Sequence, residues 1–506
     1  MKALVALPEI IVEADGSRLD ERDALALGEV RVQQKLNLPA LCELVFRSPP
    51  GPLSAVDRLM VGTSLRVTVR GQRLPLFEGE VTALEMVYEP SAGQALHVRA
   101  YDRLHRLRKR APVRAHVDVT LADLARELLG PLGIAVQGDE GGAHWSYVIQ
   151  HRQNDLDFLR ERAERAGLCF ALYQSTLHLF RLDGLGEAVA LSLGETLLEA
   201  RFEVNADLAC DEVAVFGWDT VNVQRHSGRA STALSGRTAS AAVSTWAVGA
   251  DQTQTLADLR LESSEQADAA AQAELDRRAA REVILTGVAE GDTRLRPGTP
   301  VEIAGVASAY RGRYVLTSVT HRIDATLGYI CEISTGIAPP QQRARGTIAT
   351  LGLVTQIDDP DGLGRVRVAL PTFDDVTTSW VHVVIAGAGS GKGLIMLPDV
   401  DDEVLVLVSD EDLAQAVVVG GLYGGRGAPD TGIDGGAVKR YTLLTPGGQR
   451  VTLDDVRGAI KLETADGSFV EMTPERVHIH AAVDLEIEAP GKAIVVRGNT
   501  IDFQRG

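Results

Sequence analysis

The sequence predicts a mainly β, multidomain protein, and three observations support this class. Short runs alternate between apolar and polar side chains along most of the 506 residues, and Gly or Pro turns separate them. Glycine is abundant, with 50 residues, whereas aromatic residues make up only 5% of the chain. Only a few segments carry the periodicity and capping residues of α-helices. The pattern therefore predicts β-barrel domains with a few helices, followed by further β-structure.

The first segment, residues 1–115, is predicted to form a barrel-like subdomain, because polar, Gly and Pro turns separate its alternating strands. The strands are predicted at 4–6, 28–35, 41–46, 64–70, 77–88 and 95–100. A helical insert follows at 116–199. Its first helix, 121–129, opens with Thr120 and Asp123 in the spacing of a capping box. Its second helix begins after Asn154 and ends at Gly167, and strands return at 168–182.

A second barrel-like subdomain is predicted over 200–337, so that residues 1–340 together form one large domain. Its helix begins after Ser263, with Gln266 three residues later as a capping partner. The region 219–262 is polar and poorly periodic, which predicts loops. The predicted helix spans 264–281, and the predicted strands span 200–204, 212–218, 283–289, 300–303, 313–321 and 328–335. A Pro-rich linker is predicted at 338–346.

Residues 347–425 are predicted to form a small Greek-key barrel such as an OB-fold, because several short strands occur within a compact stretch. The strands are predicted at 347–357, 364–369, 379–385, 394–397, 403–408 and 416–420. A Gly-rich connector at 426–440 leads to the last segment.

The last segment, 441–506, contains alternating strands and no helix pattern. From 477 to 488, Val477 and Ile479 share one face with other apolar residues, whereas His478 and His480 share the other face with acidic residues. Such a small sheet cannot bury its apolar face alone, but identical copies wound about a common axis can. We therefore predict an intertwined β-prism; a small β-sandwich or solenoid is the alternative. The strands are predicted at 449–453, 459–463, 468–472, 476–480, 483–488 and 493–496.

Composition excludes several classes of protein. The formal net charge of −18 disfavours binding to nucleic acid or to an anionic membrane surface. The four cysteines lie far apart without a C-x-x-C motif, which predicts buried thiols in a reducing compartment instead of a zinc site. No signal peptide and no membrane-spanning segment are predicted, so the chain is expected to assemble in the cytoplasm.

Three motifs, in this order along the chain, resemble those of one family. The segment from Tyr147 to Leu159 followed by Glu164-Arg-Ala-Gly167, and the segment from Leu295 to His321 followed by Gly328-Tyr329, are similar to the hub domain of VgrG-type proteins. The segment from Gly393 to Val408, followed by Ala416–Tyr423, resembles the OB-fold of the same spike proteins and of phage baseplate spikes. Together with the predicted prism, these matches cover nearly the whole chain.

The resemblance implies a homotrimeric hub–spike of a contractile injection machine, such as a phage tail, a type VI secretion system or an extracellular phage-tail-like particle. The hub would cap the inner tube and contact baseplate components, the OB-fold would form a collar, and the trimeric prism would pierce the target membrane. A PAAR-like tip protein is an expected partner, and effector cargo is a further one. The compact length favours an extracellular particle or a phage tail. We expect delivery outside the cell or into the target on firing.

Two motifs suggest ligands, and both have simpler explanations. Residues 386–393 resemble a phosphate-binding P-loop, but Gly393 replaces the required Ser or Thr and a strand-like run follows instead of a helix. A loop between strands is therefore predicted, with no cofactor. His478 and His480 could place six imidazoles around an axial metal in a trimer. However, their apolar neighbours should face inward, which turns both histidines outward, so no metal is assigned.

No catalytic motif is present, and the chain is predicted not to be an enzyme; an unrecognised active site within 1–340, or a cargo-carrying spike, is one alternative. The short connector leaves no room for a muramidase domain. A nucleic-acid-binding OB protein is the other alternative, but residues 348–425 contain twelve Asp and Glu against three Lys and Arg. The functional surfaces are thus predicted to be interfaces, and exposed Ile501 and Phe503 are predicted to dock the tip protein.

Overall fold

The computed structural model describes residues 8–47, 58–89, 93–138, 144–219, 224–242, 244–246, 252–339, 346–409 and 412–504. The chain divides into two compact units, Met1–Gly420 and Gly421–Gly506. Strands outnumber helices throughout the described part, which confirms the mainly β, multidomain class. The strand predicted at 4–6 and most of the linker predicted at 338–346 lie outside the described residues.

In the described residues of the predicted hub region, 1–340, the strands alternate with four α-helices. In the first half they are β1 (Ile10–Ala14), β2 (Ser17–Arg18), α1 (Glu21–Ala26), β3 (Leu27–Lys35), β4 (Leu41–Arg47), β5 (Ser64–Val69), β6 (Phe77–Glu89), β7 (Gly93–Tyr101), β8 (Arg114–Val119), α2 (Leu121–Leu129), β9 (Ala135–Gly138), β10 (Trp145–Gln150), α3 (Asp155–Arg165), β11 (Cys169–Tyr173), β12 (Thr176–Phe180) and β13 (Val189–Ser192).

In the second half they are β14 (Leu197–Val204), β15 (Glu212–Asp219), β16 (Gln224–Ala230), β17 (Thr253–Arg260), α4 (Ser264–Glu282), β18 (Val283–Glu290), β19 (Pro300–Ala304), β20 (Gly312–Val315), β21 (Ser318–Asp324) and β22 (Gly328–Ser334). Short 3-10 turns occur at Arg103–Lys109, Gly130–Leu132, Ser308–Tyr310, Pro371–Phe373, Leu413–Gln415 and Gly424–Arg426.

An eleven-stranded sheet organises the hub, in the order β14-β18-β22-β21-β3-β4-β7-β6-β5-β1-β2. The antiparallel pairing of β21 with β3 joins the two segments that the sequence assigns to separate barrel-like subdomains. Alternate residues of these strands, including Leu44, Phe46 and Val98, are buried in one continuous apolar core. The period-two pattern of the sequence therefore becomes one buried and one open sheet face.

The three helices that the sequence predicts begin and end where their capping residues indicate, whereas α1 was not predicted. Thr120 accepts a hydrogen bond from the backbone N–H of Asp123, whose side chain in turn accepts one from the Thr120 backbone, so the predicted capping box of α2 is confirmed. Asn154 caps α3, and Gly167 follows that helix with φ of +67°, in the left-handed region that glycine favours. Ser263 caps α4.

Strands β23 to β28 form the predicted OB-like unit as one six-stranded sheet, in the order β25-β24-β23-β27-β28-β26. Its core continues into the preceding insert, because Ile149 packs within it and the Tyr147 hydroxyl donates a hydrogen bond to the carbonyl of Thr377, 2.6 Å away. The bounds are β23 (Ile348–Gln356), β24 (Arg367–Leu370), β25 (Val376–Thr377), β26 (His382–Val383), β27 (Glu403–Val408) and β28 (Ala416–Leu422).

The second unit contains a two-stranded hairpin and a five-stranded antiparallel meander, in the order β31-β32-β33-β34-β35. Gly448, Gly458 and Gly467 take positive φ in the turns between its strands. The bounds are β29 (Ile433–Asp434), β30 (Ala437–Val438), β31 (Arg440–Leu444), β32 (Arg450–Asp454), β33 (Ala459–Glu463), β34 (Phe469–Met472) and β35 (Val477–His480). The four strands predicted between 449 and 480 are confirmed. They pair within one chain.

Some sequence predictions of local structure are wrong. The region 219–262 is not only loops, because β16 and β17 pair on opposite sides of β15. Residues 394–397 form no strand, and neither do residues 483–488 or 493–496 within one chain. The segments 394–397, 483–488 and 493–496 have no strand partner among the described residues of the chain, unlike the correctly predicted strands.

A buried histidine in the hub makes its stability dependent on pH. His321 is fully buried, with Nδ1 3.1 Å from the Tyr329 hydroxyl and 3.2 Å from Cys331 Sγ. Burial, aided by the charge of Arg296, lowers the pKa of His321 to about 3. The unfolded chain binds this proton near pH 6.5 and the folded chain does not, so stability is lost as pH falls from about 6.5 towards 3.

We therefore predict that His321→Asn flattens the pH dependence of hub unfolding. Between pH 7.5 and pH 5, the wild type should lose about 2 kcal/mol more stability than the variant, since 1.5 pH units separate pH 5 from the unfolded pKa. Thermal and urea unfolding at the two pH values measures this difference. His97→Asn, a substitution on the open face of the same sheet, is the control. Equal slopes for wild type and His321→Asn would contradict the assignment.

Candidate assembly surfaces

The five-stranded sheet of the second unit has one face made entirely of apolar side chains. The cross-strand register places Tyr441, Leu453, Ile460, Met472 and Val477 in one row. It places Leu443, Val451, Leu462, Val470 and Ile479 in a second row on the same face. We call these ten residues the apolar tail face.

Much of the apolar tail face is exposed in the single chain. Val477 is 67% exposed and Ile479 60%, and Leu453 and Leu462 are close to half exposed. A contiguous apolar surface of this kind on a folded domain marks an interaction site. The described part of the chain therefore leaves most of this apolar surface exposed, which makes it a candidate interaction surface.

The opposite face of this sheet is polar, and its charged groups interact with one another. Lys461 lies 2.6 Å from the Glu463 carboxylate and 4.7 Å from the centre of the Phe469 ring. The rings of His478 and His480 both lie 5.1 Å from the Phe469 ring. This face is suited to solvent, since its polar groups are satisfied within the sheet.

The structure thus places His478 and His480 on the face opposite to Val477 and Ile479, as the alternation predicts. In the described part of the chain, no group of three or more His, Cys, Asp or Glu side chains is placed to hold a metal. An axial site shared between copies would need the histidines on the apolar face. The geometry therefore gives no support to a metal at this position.

An ionic cluster fixes the beginning of the sheet to the connector. The Asp430 carboxylate accepts hydrogen bonds from Arg440 Nε and Nη2, at 2.8 and 2.6 Å, and from the Thr442 hydroxyl at 2.8 Å. These donors, led by Arg440, hold the pKa of Asp430 well below its usual range. The bidentate contact orients the first strand of the sheet.

Residues 481–504 follow the sheet without a strand of their own, and most of them are exposed. The apolar residues Val483, Leu485 and Ile487 are each more than 60% exposed. The predicted docking residues lie in the same segment, with Ile501 50% and Phe503 91% exposed. This segment continues the alternation of the sheet but has no strand partner within the chain.

The P-loop-like segment has no geometry for phosphate binding. The backbone N–H of Gly389 and the carbonyl of Lys392 lie 3.1 Å apart, and the reciprocal pair 3.2 Å, which closes a tight turn. Residues 394–397 continue as irregular structure, so no helix N-terminus faces the loop. The segment is a loop of the OB-like unit, as predicted.

The hub has an open groove of about 560 Å³ over strands β3, β4, β6 and β7. Its charged side chains pair with one another, because Glu43 lies 3.8 Å from Arg31 and 3.6 Å from Arg99. Cys42, Cys169, Cys210 and Cys331 are all buried and free, which confirms the predicted burial of the thiols, and burial raises the pKa of each one. None of the helices in the described residues is long and apolar enough to cross a membrane.

Family comparisons identify the two main parts of the chain. Residues 8–325, more than half of the chain, match the Alg8 N-terminal domain, so the protein belongs to that family. Residues 350–423 match the type VI secretion system/phage-baseplate injector OB domain. This second match confirms the OB prediction and extends across both quoted OB segments. No curated protein matches the sequence significantly.

The fold is that of VgrG-like and phage tail proteins. A chain of the Francisella PdpA–VgrG complex covers 95% of this chain and 89% of its own, with 8% identity and a TM-score of 0.55. The E. coli c3393 protein is described as a type VI secretion component similar to phage T4 gp27 and gp5. Its match covers 81% of this chain and 99% of its own, with 13% identity and a TM-score of 0.53. The match to the 43 kDa tail protein of prophage MuSo2 from Shewanella oneidensis covers 64% of this chain and 97% of that protein, with 15% identity and a TM-score of 0.50. The predicted resemblance is therefore confirmed.

The sequence analysis found the apolar tail face only in part. The alternation was used to predict which side chains share a face only for residues 477–488, whereas in the structure the same apolar face extends back to Tyr441. The signal was present, because Val451 and Leu453, Ile460 and Leu462 alternate with polar residues in the same way. Aligning the strands through their turns would have found all ten positions.

Proposed function

We propose that this protein is the structural hub and spike of a contractile injection machine, and that it works as a homotrimer. One observation carries the proposal: the apolar tail face has ten apolar positions in register, and eight of them are more than a third exposed in the single chain. Burial of one such side chain contributes about 1.5–3 kcal/mol. Three copies, each turning this face towards a common axis, would bury all of it.

The segment after the sheet would pair only between copies. Val483, Leu485 and Ile487 continue the apolar side of the alternation, and Asp484 and Glu486 the polar side. Strands contributed by three chains would bury the apolar side and leave no free edge. Interwoven chains resist axial load, because displacing one strand breaks pairing along all three. Such a needle would pierce the target membrane when the sheath contracts.

The hub offers edges for the same association. Within the described residues, β14 pairs with β18 alone, and β2 at the other end of the sheet pairs with β1 alone. Free edges of a large sheet invite pairing with another chain. A ring of three hubs would cap the inner tube, contact baseplate components and enclose any effector cargo. The likeness to type VI and phage tail folds supports this role.

The first prediction is the mass of the purified protein in solution. Light scattering should give three times the chain mass of 54.1 kDa. Deletion of residues 441–506 should lower the mass or make it depend on concentration, since the apolar tail face is removed. A stable full-length monomer would overturn the proposed function.

A second prediction compares two neighbouring residues on opposite faces of β32. Leu453→Asp places a charge on the apolar tail face and should dissociate the trimer or lower its unfolding midpoint strongly, because a buried unpaired charge is costly. Thr452→Asp lies on the polar face opposite Lys461 and should leave the trimer intact. Light scattering and thermal unfolding of both variants measure the difference. Equal behaviour would show that this face is not the interface.

A third prediction concerns the exposed end of the segment. We propose that Ile501 and Phe503 form the docking surface for a PAAR-like tip protein. Ile501→Asp combined with Phe503→Asp should abolish binding of the tip protein in a pull-down or calorimetric titration. Thr500→Asp combined with Gln504→Asp adds the same charge without removing apolar surface and should retain binding. Unchanged binding by the first pair would exclude this docking surface.

A further inference from the structure

Strands β8 and β10 form a two-stranded antiparallel ribbon whose two faces lie in different hydrophobic cores. Val148 is buried with Leu124 and Phe158 in the core of the helical insert. The next residue, Ile149, points to the other side and is buried in the core of the OB-like unit, which also contains Val368. A two-stranded ribbon is marginally stable alone, so this one depends on both cores. We call β8 and β10 the shared ribbon.

The cross-strand register continues this division onto β8. Ala115 lies opposite Ile149 and packs against the core of the OB-like unit. His116 lies opposite Val148, and its ring stacks on that of Phe158 in the insert, with the ring centres 5.3 Å apart. Because side chains alternate along a strand, neighbouring residues of the shared ribbon belong to different cores.

Directed contacts add to this packing on the side of the OB-like unit. The Tyr147 hydroxyl donates a hydrogen bond to the carbonyl of Thr377, 2.6 Å away. Beyond the end of β10, the His151 ring meets the Phe373 ring edge-on at 5.7 Å, and the Arg152 guanidinium lies 5.6 Å from the centre of the same ring. Hydrophobic contacts between domains restrain their relative motion, whereas small polar interfaces permit it.

The shared ribbon is also fixed to the rest of the hub at both ends of β10. Before β10, the carbonyl of His144 accepts a hydrogen bond from Gln266 Nε2 of α4, 2.7 Å away. At the other end, Gln150 Nε2 donates to the carboxylate of Asp155 at 2.9 Å. Asp155 begins α3, and its carboxylate lies 2.8 Å from Arg110 Nε. Movement of the OB-like unit against the hub would therefore have to open a core or break these contacts.

We propose that the shared ribbon locks the OB-like unit to the hub, so that the two move and open as one body. Along the chain, the two are joined once, through residues 335–347 between β22 and β23. The ribbon supplies a second, non-covalent connection. In the proposed spike, load on the hub would reach the OB-like unit through both. The contacts lie within one chain, so the lock does not depend on the number of copies.

Amide hydrogen exchange of the full-length protein, measured by mass spectrometry, tests the lock in both directions. Ile149→Ala in the ribbon should speed exchange of β24 and β27 in the OB-like unit about tenfold or more, because it removes volume from their core. Val406→Ala on β27 should speed exchange of β8 and β10 by a factor similar to that in β24. Val117→Ala is the control: it lies on the ribbon, opposite Tyr147, but is 59% exposed and should change neither region.

The reciprocal variant decides the outcome. If Val406→Ala sped exchange only within the OB-like unit, that unit would open while the ribbon stayed closed, and the proposal would be wrong. Should Ile149→Ala not fold, Tyr147→Phe removes one hydrogen bond and keeps the ring. It should speed exchange of β24 and β8 about fivefold, and an unchanged rate in either strand would also overturn the lock. Failure of the lock leaves a trimeric mass unaffected, whereas a monomeric wild type overturns the proposed function alone.

Discussion

The structure depends on one constraint: the alternation of the last strands collects apolar side chains on a face that the chain cannot cover. Ten positions share this face, and fully burying an exposed Leu, Ile or Val contributes about 1.5–3 kcal/mol; because these side chains are already about half buried, roughly half of that free energy remains for each. That sum is comparable with the whole net stability of a typical domain, about 5–15 kcal/mol. The free energy available from burying this face is therefore too large for the face to remain exposed to water. It makes association with identical copies the simplest explanation of the sequence.

The polar face shows that this arrangement is consistent across the sheet. Lys461, Glu463 and Phe469 interact with one another, and Asp430 orients the first strand through Arg440. Polar groups satisfied within one chain need no partner, whereas the apolar rows do. The two faces therefore differ: charged groups on one interact within the chain, whereas most apolar side chains on the other remain exposed.

Local signals predicted most of the fold, because capping residues and alternation act over a few residues. Thr120, Asn154 and Ser263 each begin a helix as expected. The failures occur where distant contacts decide the structure. Strand β16 looked like a loop because it is polar, but Gly228 lets the backbone of α4 approach so closely that an added Cβ would lie 2.3 Å from Ala267. The run at 394–397 looked like a strand because apolarity was taken for burial.

That last error carries structural information about the candidate site. A run of apolar residues is expected to be buried, and the chain alone does not bury this one, so the expectation applies to an assembly instead of a single chain. The same reasoning applies to Val483, Leu485 and Ile487, whose strand character needs partners that one chain lacks. The positions of apolar residues in a sequence reflect the environment in which the protein functions. Where the sequence pattern and the single-chain structure disagree at exposed apolar residues, those residues are candidates for contact surfaces.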